Sequence, residues 1–210
     1  MASQASRRNL ITLYSGASDF ASHQVRLVLA EKGIAAEIDI VRPDAMPEEV
    51  YEVNPYGTLP TLIDRDLSLF QSDIMLEYLD ERFPHPPLLP VYPVARAQSR
   101  QMLYRIKRDW FSLADKILQD GKDAAEARRD LRDSLLATAP LFAESTYFLS
   151  EEYSLLDVYL ATLLWRLPML GIELTGPASK AVHQYMLRLF ERDAFVSSLT
   201  EAERRLRSGY

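Results

Sequence analysis

NPYGTLPTLIDRDLSLFQSDIMLEYLDERF, residues 54–83, holds two strand-sized apolar pieces followed by one helix-sized piece, and that order decides the fold. Thr61 to Ile63 and Leu67 to Phe70 are separated by the polar turn Asp64-Arg65-Asp66, the spacing of a β-hairpin, with the paired acids reading as turn residues. From Ser72 onward, Ile74, Leu76, Tyr78, Leu79 and Phe83 are interleaved with acids, which predicts a helix with Ser72 or Asp73 as its N-cap.

Toward the N-terminus, LITLY (10–14) is a short β-branched and aromatic run, and HQVRLVLAEKG (23–33) changes to helical spacing with Val25, Val28 and Leu29 on one face. Gly33 is a natural helix stop. AAEIDIV (35–41) alternates as a half-buried strand does, and MPEEVYEVNP (46–55) opens a short helix with a proline and two acids. Residues 1–83 therefore read βαβαββα.

Toward the C-terminus, FPHPPLLPVYP carries five of the twelve prolines, and residues 84–93 read as a linker. Residues 94–210 then show long helical patterns only, including VARAQSRQMLYRIKRDWFSLADKILQ, SLLDVYLATLLWRL and GPASKAVHQYMLRLFER. Pro140, Pro168 and Pro177 fall between or at the ends of such segments. The expected fold is an α/β domain followed by an all-α domain.

With 210 residues and 48% hydrophobic content, the chain can bury a sizeable core. Its 24 Lys and Arg against 30 Asp and Glu give a net charge of -6, the wrong sign for broad phosphate binding. The lack of cysteine excludes disulfides, thiolate ligands and a cysteine nucleophile. Charged residues near Met1 are followed by no apolar signal core, and LLDVYLATLLWRLPML is interrupted by Asp157, Arg166 and Pro168, so a cytoplasmic protein is expected. Scattered glycines make no phosphate loop, and His23 and His183 lack metal-ligand spacing. Trp110, Phe111 and Trp165 sit at helical spacing with other apolar residues and are expected in the core, while ARRDLRD (127–133) reads as a solvated face.

Three motifs make the chain resemble the cytosolic glutathione S-transferases, whose first domain is thioredoxin-like and whose second is helical. NPYGTLPTL resembles the segment whose proline is cis and whose backbone meets glutathione, which implies that role for Leu59 and Pro60. QSDIMLEYL is similar to the pair that receives the γ-glutamyl carboxylate, here Gln71 and Ser72 at a helix start. SLLDVYLA resembles the structural capping box, with Ser154 and Asp157 in its two places.

The catalytic place departs from the pattern. Six positions before Val25, where serine- and cysteine-type members activate the thiol, stands Asp19, with Ser18, Ser15 and Tyr14 nearby. A helix N-terminus favours a thiolate by about 0.3–1 kcal/mol. An ionised carboxylate about 4 Å away opposes it by about 4 kcal/mol at an effective dielectric of 20, so repulsion wins. Asp19 also suits a helix N-cap.

YLDERFPHPPLLPVYPVARAQSR (78–100) closely resembles a non-catalytic, RNA polymerase-associated branch of that superfamily, as do SHQVRLVLAEKGI (22–34) and YFLSEEYSLLDVYLATLLWRLPMLGIEL (147–174). The resemblance implies a homodimer that joins the polymerase holoenzyme, contacts its housekeeping sigma factor and redirects promoter use under starvation or acid stress. It implies no catalysis and no cofactor. Pro84, His85 and Pro86 match the partner-binding determinant, and prolines on both sides of His85 leave little entropy to lose on docking. Tyr92 adds a rigid aromatic suited to an interface. The alternative is a glutathione-dependent transferase or peroxidase using Ser18 or Tyr14.

Overall fold

The computed structural model describes residues 10–207. The chain divides into two compact units, Met1–Pro86 with Asp193–Arg205, and Pro87–Arg192 with Leu206–Tyr210. The N-terminal segment that bears on secretion, residues 1–9, lies outside the described residues.

The first unit contains strands β1 (Ile11–Ser15), β2 (Ala36–Ile40), β3 (Thr61–Asp64) and β4 (Leu67–Leu69) in the order β2-β1-β3-β4. β1 and β2 are parallel, with Leu13 beside Ile38. β3 runs antiparallel to both β1 and β4, with Leu62 opposite Leu13 and Leu69. Helices α1 (Phe20–Glu31), α2 (Glu48–Val53) and α3 (Ser72–Arg82) complete the thioredoxin-like pattern. Leu13, Val25, Val28, Leu62, Met75 and Leu79 are fully buried and form its core.

Three local readings change. The N-cap of α3 is Gln71, without a side-chain cap bond, so Ser72 and Asp73 lie inside its first turn instead of capping it. β2 is an edge strand, and with β1 alone beside it Ile38 and Ile40 stay 40% and 50% exposed instead of half-buried by alternation. In α1 every residue from Ser22 to Leu29 is buried, well beyond the single apolar face of its sequence.

The cause is the segment formed by α10 (Asp193–Ser198) and α11 (Glu201–Arg205), which belongs to this unit rather than to the helical part containing residues 94–192. Arg26 donates to both Glu203 carboxylate oxygens at 2.7 and 2.6 Å, to the Ser198 carbonyl at 3.0 Å and to the Gly16 carbonyl at 2.9 Å. His23 is a core histidine, with Nε2 3.0 Å from Ser198 Oγ and its ring against Phe195. A charged side chain can be buried here because its donors all find acceptors.

The second unit contains α4 (Pro93–Ile106), α5 (Ser112–Leu118), α6 (Ala124–Ala137), α7 (Leu141–Glu144), α8 (Leu155–Trp165) and α9 (Ser179–Phe190). A π turn, Lys107–Phe111, joins α4 to α5, so the apolar pattern over 94–119 is interrupted where periodicity alone shows one helix. α8 is buried from Leu155 to Leu164, as a helix apolar on all sides must be.

The α8 capping box forms as read. Ser154 Oγ accepts from the Leu156 amide, and Asp157 Oδ2 accepts from the Ser154 amide at 2.8 Å. Asp157 Oδ1 also accepts from the Phe148 amide and the Tyr185 hydroxyl, tying α8 to a loop and to α9. Burial raises the Asp157 carboxyl above the ordinary aspartate value, against the lowering effect of these hydrogen bonds.

Trp110 is buried and stacks on Phe142, while Phe111 is half-buried. Trp165 is only half-buried as well, packed edge-on against Phe190 with the Arg207 guanidinium over its ring. Within the proline stretch, Leu88 and Leu89 are buried, and the Leu88 carbonyl accepts from the Leu155 amide at 2.9 Å. This half of the stretch is anchored in the second unit and does more than space two domains. Among the described residues, no helix is long and apolar enough to cross a membrane.

Candidate functional site

The proline loop is built from Lys32, the residue that ends α1. Its ammonium has three N–H donors and three acceptors: the Asp80 carboxylate at 2.8 Å and the Phe83 and Pro86 carbonyls, each at 2.7 Å. The side chain of Lys32 is fully buried and Asp80 is 6% exposed. Pro84 and His85 therefore stand between two clamped carbonyls, and Pro84, His85 and Pro86 are all exposed. The His85-Pro86 peptide is cis. In the second unit, Tyr92 is the N-cap residue of α4 and is 79% exposed, with Val91 and Val94 at 77% and 73%.

The residues resembling a glutathione site lie at one end of the sheet. Tyr14 pairs with Thr61 and Leu62 with Leu69, so the corners that follow β1, precede β3 and follow β4 meet there. Ser18 and Asp19 occupy the first corner, Leu59 and Pro60 the second, and Gln71 and Ser72 the third. Leu59-Pro60 is cis, as the resemblance implies, and Pro60 is buried. Asn54 holds this loop, donating to the Thr58 carbonyl at 2.9 Å and to Thr61 Oγ1 at 2.8 Å while accepting from the Tyr56 amide.

Asp19 caps α1, its Oδ1 accepting from the Ser22 amide at 2.7 Å. Its other oxygen lies over Gly16, where a Cβ would come within 1.9 Å of Oδ2, so a side chain there would displace the cap. The carboxylate thus takes an amide donor at the N-terminus of α1, where a thiolate would seek one. Ser15 is fully buried, donating to the Gly16 carbonyl and accepting from Arg26, so its hydroxyl is committed internally. Ser18 remains exposed and Tyr14 half-buried. Asp64 accepts from the Tyr78 hydroxyl at 2.6 Å and joins the hairpin to α3, while Arg65 takes the positive φ of 58° in the turn.

Sequence reading missed Lys32 and Arg26. Each looks like an ordinary helix cation, because the acceptors that give it meaning are about 50 and more than 170 residues away. Arg26 lies in the stretch SHQVRLVLAEKGI that carries the resemblance, but its link to Glu203 has no local signal.

Residues 21–82 match the glutathione S-transferase N-terminal domain model, and residues 101–193 match the C-terminal domain model. The chain is 54% identical over 201 residues to the stringent starvation protein A homolog of Pasteurella multocida, covering 95% of this chain and 94% of that protein. It is 49% identical over 203 residues to the homolog from Coxiella burnetii, covering 96% and 97%. Among solved structures, glutathione transferase Omega 3C from Trametes versicolor aligns with a TM-score of 0.80 at 21% identity, covering 95% of both chains. BphK, a bacterial transferase, also aligns at 0.80 with 23% identity, covering 92% of this chain and 99% of that one. These structural likenesses support the transferase fold.

Proposed function

We propose that this chain, which belongs to the stringent starvation protein A family, is a cytoplasmic transcription regulator that binds RNA polymerase holoenzyme as a homodimer, without transferase catalysis. It contacts the housekeeping sigma factor and alters promoter use under stress. The observation that carries this reading is the exposed Pro84-His85-Pro86 segment held by Lys32 through the Phe83 and Pro86 carbonyls. A loop whose backbone is tied at both ends and whose residues are largely prolines loses little freedom when a partner covers it. Tyr92 is a separate contact of the same role, exposed on the second unit.

The test is co-sedimentation with purified holoenzyme. Wild type is expected to travel with it, and the combined Pro84→Ala, His85→Ala, Pro86→Ala variant to lose at least tenfold in affinity while remaining folded. Equal binding by both proteins would refute the proline segment as the docking surface. Failure of the wild type would refute the polymerase reading.

The meeting of the Leu59-Pro60 and Gln71-Ser72 corners at one end of the sheet favours a second reading, a glutathione-dependent enzyme. Asp19 at the head of α1 opposes it. Glutathione conjugation to an electrophilic aryl halide is expected to stay at the uncatalysed rate. Turnover that Ser18→Ala abolishes and Asp19→Ala preserves would revive the enzyme.

A further inference from the structure

The basic run ARRDLRD (127–133) reads from the sequence as a solvated face, and the structure gives it another place. Arg128, Arg129 and Arg132 of α6 line a cleft of about 350 Å³ in the second unit, closed on its other side by Ile172 and Glu173 from the segment between α8 and α9. Arg128 and Arg132 keep only 37% and 42% of their side chains exposed. We propose that this cleft binds a diphosphate group, either free or as the end of a nucleotide, through these three arginines.

Charge selects the ligand. Three guanidiniums share the lining with one carboxylate, Glu173, which leaves a surplus of two positive charges on a chain whose net charge is -6. Asp120 and Asp133 pair with Arg128 and Arg132 from outside the lining, and they are 85% and 64% exposed. Ion pairs so open to water hold a guanidinium weakly. Like charges at i and i+4 of a helix repel, as Arg128 and Arg132 do, and a bound anion relieves that repulsion.

Shape selects two linked phosphoryl groups over one. Arg128 and Arg132 stand about 6 Å apart along the axis of α6, so their planar forks can take oxygens of successive phosphoryl groups. Arg128 is oriented in advance, its Nε donating to the Leu170 carbonyl at 3.0 Å where Gly171, with φ 67°, turns the chain. Leu136 and Ile172 add an apolar wall beside the forks. The volume reaches the lower end of the range for small-molecule sites, about 300–1,000 Å³, which leaves room for an organic group behind the diphosphate.

The test is calorimetric titration of the whole chain in magnesium-free buffer at low salt. Sodium pyrophosphate should saturate a single site, with inorganic phosphate about tenfold weaker. ADP as tight as pyrophosphate or tighter makes a nucleotide the source, whereas pyrophosphate binding without ADP binding makes it the free diphosphate. Arg129→Gln, at an exposed position of α6, should weaken pyrophosphate about tenfold. Glu173→Gln should tighten it about threefold, because the native carboxylate repels the ligand. No saturation by either diphosphate would overturn the proposal. So would pyrophosphate binding indifferent to Arg129→Gln, or weakened by Glu173→Gln. Equal binding of phosphate, sulfate and pyrophosphate would mean an adventitious ion only and would overturn it too. None of these outcomes depends on polymerase binding, because the cleft shares no residue with the proposed docking segment.

Discussion

At the scale of single residues, the chemistry of the proline loop rests on a lysine that no motif singles out. Lys32 balances Asp80 and satisfies two carbonyls at once, so its side chain can be fully buried without an idle donor. Lys32→Met leaves a nearly buried carboxylate without this cation, and such one-sided losses cost about 3–5 kcal/mol. A fall of that size in urea-unfolding free energy is expected. Lys32→Met with Asp80→Leu should recover most of the stability but still bind holoenzyme more weakly, because the two loop carbonyls stay untied. Full recovery of both would show that the clamp serves stability alone. By contrast, Asp19 as an N-cap and Ser154 with Asp157 as a capping box were legible from residue type and spacing, since their partners lie within three residues.

At the scale of elements, α1 shows where periodicity stops informing. Its sequence has one apolar face, yet residues Ser22 to Leu29 are all buried because α10 and α11 return from the far end of the chain to the same unit. The Arg26–Glu203 pair joins them, with relative side-chain exposures of 3% and 0%. Glu203→Gln should therefore destabilise the first unit by about 3–5 kcal/mol, as breaking a buried pair does. Hydrogen exchange should quicken first across residues 193–205. Unchanged protection there would mean that apolar packing around Phe195 holds the segment by itself. The order βαβαββα was legible because each element carries its own period. The edge exposure of β2 and the π turn before α5 were not, because sheet order and local helix widening have no equivalent in hydrophobic pattern.

At the scale of the whole molecule, charge and partner choice can be tested together. With a net charge of -6, the chain is expected to leave duplex DNA unshifted at about 0.15 M salt, where counterion release rewards basic surfaces. A mobility shift with DNA should thus appear only when holoenzyme is present. A shift by the chain alone would move the function toward direct DNA contact. By itself the sequence determined the fold class, the Asp19 cap and the Ser154–Asp157 capping box, because those depend on periodicity and short-range spacing, while its motifs carried the resemblance to the family. Tertiary structure alone decided that residues 193–205 complete the first unit, that Lys32 and Arg26 are buried organisers, and that Ser15 is committed internally. Each of those outcomes depends on which distant acceptors a donor meets once water is excluded, and a linear pattern does not encode that meeting.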